Sequence, residues 1–109
     1  MAENWQPVGT QAASIHINKK SGSIFWNARV HQMMGYPTSV RILYDESANS
    51  IGMMDGLDYI VQNDDDNEYK AEVREALEEC GLEFPLDENI TGVPDWPIDS
   101  RNMAILCLE

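Results

Sequence analysis

SIHINKKSGSIFWNARVHQMMGYPTSVRILYDESANSIGMM, residues 14–54, reads as strand, tight turn, strand, short helix, strand, turn, strand. Ser14-Ile15-His16-Ile17-Asn18 alternates polar with apolar, Lys19-Lys20-Ser21-Gly22 is a turn, and Ser23-Ile24-Phe25-Trp26 resumes an extended run. Two β-favouring runs around a short glycine turn pair as a hairpin. Asn27 is a good helix N-cap, Val30, Met33 and Met34 put apolar side chains on one helical face, and Gly35 can close the turn. Residues 40–44 and 51–54 form a second hairpin around the polar stretch 45–50.

Working outward, residues 1–10 show no period and read as an arm, pinned to the body by Trp5 and Val8. Asp55-Gly56 is a turn, residues 57–61 a short strand and residues 62–67 a polar, acidic loop. Residues 68–80 are expected to be the main helix, because Tyr69, Val73, Ala76, Leu77 and Cys80 make one apolar stripe. Asp64, Asp65 and Asp66 would then cap its amino end and Gly81 its carboxyl end, with Glu72, Glu75, Glu78 and Glu79 as a negative outer ridge. Leu82, Phe84 and Leu86 alternate as a short extended segment. Residues 87–101 hold Gly92, Pro94 and Pro97 and read as an irregular loop packed down by Ile90, Val93, Trp96 and Ile98. Met103-Ala104-Ile105-Leu106-Cys107-Leu108 is apolar on both faces, the pattern of a strand buried on both sides or covered at a subunit interface. The fold class these elements imply is α+β: one domain over residues 1–109, a small bent antiparallel β-sheet or barrel covered by one main amphipathic helix and closed by the last strand.

Composition narrows the function. The chain carries 19 acidic against 7 basic residues, a formal net charge of −12. Residues 1–45 hold four basic and two acidic groups, so the acidity belongs to the second half. Nucleic-acid affinity rests on cations that neutralise phosphates, which argues against DNA or RNA binding by the surface at large and favours a basic partner. No apolar run approaches the ~20 residues of a membrane-spanning helix, and Met1-Ala2-Glu3-Asn4-Trp5 lacks the pattern of a signal peptide. A cytoplasmic protein is expected, with Cys80 and Cys107 reduced and buried and no membrane contact.

The order of residues 15–27, then 28–35, then 40–44 and 51–54 resembles the AbrB/SpoVT-like swapped-hairpin domains, which run strand, glycine turn, strand, short helix, strand, turn, strand. It also resembles small uncharacterised bacterial proteins that follow such a first half with a helix and a last strand. The resemblance implies an intertwined homodimer and, in most characterised members, a DNA-binding regulator. Members commonly place arginine after the turn glycine and proline before the helix, where this chain has Ser23 and Asn27. The basic surface that remains is Lys19, Lys20, Arg29 and Arg41.

No catalytic signature is legible. His16 and His31 share no spacing with cysteine that suggests zinc, His31 reads as half exposed, and both cysteines lie on apolar faces that disfavour the thiolate. Asp64, Asp66, Glu68 and Glu75 fit the first, third, fifth and twelfth places of a calcium loop, but Tyr69 stands where its sharp turn needs glycine. Neither a cofactor nor a metal is expected. Trp26, Met33, Met34, Tyr36, Met53, Met54 and Trp96 are numerous enough to supply both a core and a dimer seam. The reading is a non-enzymatic acidic interaction or regulatory protein, a homodimer with a basic protein partner. One version is an inhibitor mimicking nucleic-acid charge through Asp64, Asp65, Asp66, Glu72, Glu75, Glu78 and Glu79. The alternative is a dimeric DNA-binding regulator using Lys19, Lys20, Arg29 and Arg41.

Overall fold

The computed structural model describes residues 13–65, 68–94 and 102–108. Both expected hairpins form. β1 (Ile15–Ile17) pairs antiparallel with β2 (Ser23–Asn27), and the turn between them is held by the Asn18 side chain, whose Oδ1 accepts from the amides of Lys20 and Ser21 at 2.9 and 3.0 Å. β3 (Ser39–Asp45) pairs with β4 (Ser50–Asp55) around a turn in which the Asp45 carboxylate accepts from the Ser47 hydroxyl at 2.7 Å and the Ala48 amide at 3.2 Å. Between the hairpins lies α1 (Ala28–Met33). The Asn27 side chain accepts from the Val30 amide at 3.2 Å, satisfying an N–H that the first helical turn leaves open.

The two hairpins that carry the family resemblance lie in different sheets. With β5 (Tyr59–Ile60), β6 (Gln62–Asp65), β7 (Glu68–Glu72), β8 (Ile90–Gly92) and β9 (Ala104–Cys107), β1 and β2 belong to a five-stranded sheet ordered β6-β7-β2-β1-β8, and β3 and β4 to a four-stranded sheet ordered β5-β3-β4-β9. The core is the space they share. Ile15, Ile17, Ile24, Trp26, Ala71 and Val73 enter it from the first sheet and Val40, Ile51, Met53, Ala104 and Leu106 from the second, joined by Val30 and Met34 of α1.

The fold is therefore antiparallel sheet with two short helices, and the expected main helix is the chief correction. Residues 68–80 divide into β7 (Glu68–Glu72) and α2 (Arg74–Glu79), neither helix exceeding six residues. Tyr69, Val73 and Leu77 fit a helical stripe, but Tyr69, Ala71 and Val73 also alternate, and alternation lets β7 pair along the whole edge of β2, Ser23 opposite Glu72 through Asn27 opposite Glu68. Asp64 and Asp65 consequently cap no helix: they belong to β6 (Gln62–Asp65), where the sequence suggested a loop, and Asp66 lies outside the described residues. Residues 87–101 are not wholly irregular either, since β8 (Ile90–Gly92) pairs with β1. β5 (Tyr59–Ile60) and β9 (Ala104–Cys107) form where short strands were expected. Trp5, Val8, Trp96 and Ile98 fall outside the described residues.

Two burial expectations also change. Cys80 and Cys107 are free thiols, but Cys80 is only half-buried and Cys107 is exposed because it faces out from β9 beside buried Leu106. His31 is 7% exposed rather than half exposed. Among the described residues no helix is long and apolar enough to cross a membrane.

Candidate functional site

α2 begins one residue after β7 ends, so Glu72, Glu75, Glu78 and Glu79 gather at one end of the five-stranded sheet, all exposed. Arg74 fixes that end. Its side chain lies against Gly22 of the first hairpin turn, where an added Cβ would sit 2.7 Å from the Arg74 Cβ. The guanidinium stands 5.5 Å from the centre of the Phe84 ring, and its Nε donates to Glu78 Oε2 at 3.3 Å. One carboxylate is thereby partly neutralised. Glu75 and Glu79 stand at like-charged i, i+4 positions, and both act on Tyr59 of β5. Burial, then Glu75, Glu79 and Asp58, push the Tyr59 phenol above its ordinary value, while the nearby Ala76 amide pulls the other way.

The seven acids of the charge-mimic expectation do not form one helical ridge. Asp65 pairs with Glu68 at the far end of β7 from Glu72, and four residue steps of strand separate those ends by about 13 Å. Only Glu72, Glu75, Glu78 and Glu79 are brought together with α2. The cations divide likewise. Lys19 and Lys20 sit in the β1–β2 turn beside α2, whereas Arg29 is on α1 at the opposite end of β2, its Nη1 donating to Gln32 Oε1 at 3.4 Å. Arg41 is on β3 of the other sheet, opposite Met54. Within one chain these four do not make a common phosphate surface.

Sequence reading missed an aromatic cluster around the buried His31. Trp26 Nε1 donates to His31 Nδ1 at 3.2 Å, the His31 ring stacks on Tyr69 at 3.8 Å between centroids, and Tyr36 meets its edge at 5.8 Å. Accepting at Nδ1 requires the neutral ring, and burial lowers the His31 pKa accordingly. The cluster joins α1 to β2 and β7, with Trp26 and His31 buried, Tyr69 half-buried and Tyr36 64% exposed at its edge. His16, by contrast, stacks on Phe25 at 4.8 Å on the outer side of the first sheet, and the Lys70 ammonium lies 5.9 Å from the Phe25 ring centre. No group of three or more metal-ligating side chains occurs among the described residues.

A groove of about 220 Å³ lies on the outer side of the second sheet, lined among others by Leu43, Tyr44, Gly52, Met103 and Ile105. Gly52 is its floor: Met103 Sδ would lie 2.6 Å from a Cβ added there, so glycine lets the methionine approach. With this geometry in view, the chain matches no protein-family model, no curated protein and no solved structure.

Proposed function

We propose that the chain is a non-enzymatic acidic interaction protein that engages a basic protein partner through the α2 end of the five-stranded sheet. The observation that supports this is the exposure of Glu72, Glu75, Glu78 and Glu79 together at that end, with the Tyr59 phenol close enough for Glu75, Glu79 and Asp58 to raise its pKa. A half-buried phenol beside converging carboxylates gives a cation both charge and an aromatic face. Glu72 extends the same surface, while Arg74 holds Glu78 and so limits how much of the charge is free. A nucleic-acid-binding protein is one fitting partner class, because side chains that receive phosphates also receive carboxylates.

The test is a titration of a labelled lysine-rich peptide against the protein over a range of salt, with duplex DNA assayed in parallel. Peptide binding that weakens steeply with salt, and that Glu75→Lys with Glu79→Lys abolishes, supports the reading. Failure to bind the peptide at low salt overturns it. DNA binding lost in Lys19→Ala with Lys20→Ala replaces it with the nucleic-acid alternative.

A further inference from the structure

β9 ends the four-stranded sheet, and among the described residues it is bonded on one side only, to β4. The direction of its backbone groups follows from one bond. The Leu108 amide donates to the Asn49 carbonyl at 3.0 Å, in the register that sets Cys107 opposite Ser50 and Leu106 opposite Ile51. In an antiparallel ladder, residue pairs that exchange hydrogen bonds alternate with pairs that do not. Leu106 and Ala104 therefore bond β4, and the N–H and C=O groups of Ile105 and Cys107 point away from it.

Exposed strand edges are sites of further pairing unless charge, proline or shortness blunts them. Three of the described edges are blunted. β5 has two residues, β6 carries Asp64 and Asp65, and β8 has three residues with Pro94 just beyond it. β9 has four residues with neither charge nor proline. Its inner side chains Ala104 and Leu106 are buried, but Cys107 is exposed and Ile105 continues an apolar row through Gly52 to Leu43, which is 39% exposed.

We propose that β9 pairs antiparallel with β9 of a second copy about a two-fold axis at Leu106, joining two four-stranded sheets into one of eight strands. Ile105 of each copy then faces Cys107 of the other, and each facing pair exchanges both of its backbone bonds. Charge selects the occupant. A chain at −12 repels its own copies over most of its surface, yet residues 102–108 carry no charge, so two copies can meet there without opposing ionic groups. A basic partner gains nothing electrostatic from the same strip. Two-fold pairing also makes the Ile105–Cys107 contact twice and closes the assembly. The contact is small beside the roughly 800 Å² per partner of a standard interface, so the dimer dissociates on dilution.

The experiment is native mass by sedimentation across a wide concentration range, with amide hydrogen exchange read at both extremes. The mass should rise from 12.3 kDa toward twice that value. Protection of the Ile105 and Cys107 amides should rise with it, while the Leu106 and Leu108 amides are protected throughout. Ile105→Pro removes an amide that β4 does not use and should leave the protein monomeric; if that variant fails to fold, Ile105→Lys supplies a charge at the same edge with the same result. Leu57→Lys, at a position 94% exposed and remote from β9, should leave the association unchanged. A mass fixed at the monomer value, association that survives both Ile105 variants, or protection of Ile105 and Cys107 independent of concentration, as a segment of the same chain laid along the edge would give, overturns the proposal.

Discussion

α1 and α2 are alike in length and in ending, and unlike in what they do with their faces. Each has six residues and each closes with the same paired bonds around a left-handed glycine: the Gly35 and Tyr36 amides reach the Gln32 and His31 carbonyls, and the Gly81 and Leu82 amides reach those of Glu78 and Leu77. Helices this short do not persist alone, so tertiary contact must hold both. α1 is held at its start and along its inner face, with Asn27 capping it, Val30 and Met34 buried, and His31 locked between Trp26 and Tyr69. α2 starts at Val73 without a side-chain cap, buries Leu77, and turns three glutamates to solvent. The division is one of burial: α1 packs around His31, whereas α2 buries Leu77 and leaves its glutamates in solvent, the surface proposed above for a partner.

Substitutions test that division. Trp26→Ala removes a side chain that is 1% exposed and the donor on which His31 is oriented, and should cost about 3–5 kcal/mol in denaturant unfolding. Acid should act through the same cluster. An unfolded histidine titrates near about 6.5, and burial holds folded His31 lower, so protonation favours the unfolded chain. The stability it contributes is complete above that unfolded value and is lost as pH falls through it toward the folded one. Thermal midpoints should fall over that window, and His31→Phe should flatten the decline; an unchanged pH slope in that variant would refute the assignment.

Asn27→Ala should cost about 1 kcal/mol as the cap of α1 is lost. Arg74→Ala loses the exposed Glu78 pair and the Phe84 contact, worth together about 1 kcal/mol or less. The smallest effect belongs to the α2 glutamates. Glu75→Gln with Glu79→Gln should change stability by less than about 0.5 kcal/mol, while Tyr59, followed by its ring resonances, should titrate at lower pH than in the parent.

Why α1 was legible and α2 only partly so has a physical answer. Around α1 every local signal agrees: alternating strands on both sides, a capping Asn27 and a closing Gly35. Residues 68–80 satisfy two periods at once, and what decides between them is the open edge of β2, more than forty residues away, which leaves no mark on the local sequence. The same distance hid the Trp26–His31–Tyr69 cluster. β8 was missed because three residues carry too little alternation to register against the prolines that follow. Of the proposed acidic surface, Glu72, Glu75, Glu78 and Glu79 are legible in the sequence; the nearness of Tyr59 to Glu75 and Glu79 depends on the tertiary fold.

The measurement that tests this division most directly is the affinity of Glu75→Gln with Glu79→Gln for a lysine-rich peptide, taken beside its unfolding curve. The account predicts an unfolding curve close to that of the parent and a loss of peptide binding of tenfold or more, equivalent to about 1.4 kcal/mol. Unchanged binding, or binding lost only in step with stability, would contradict it.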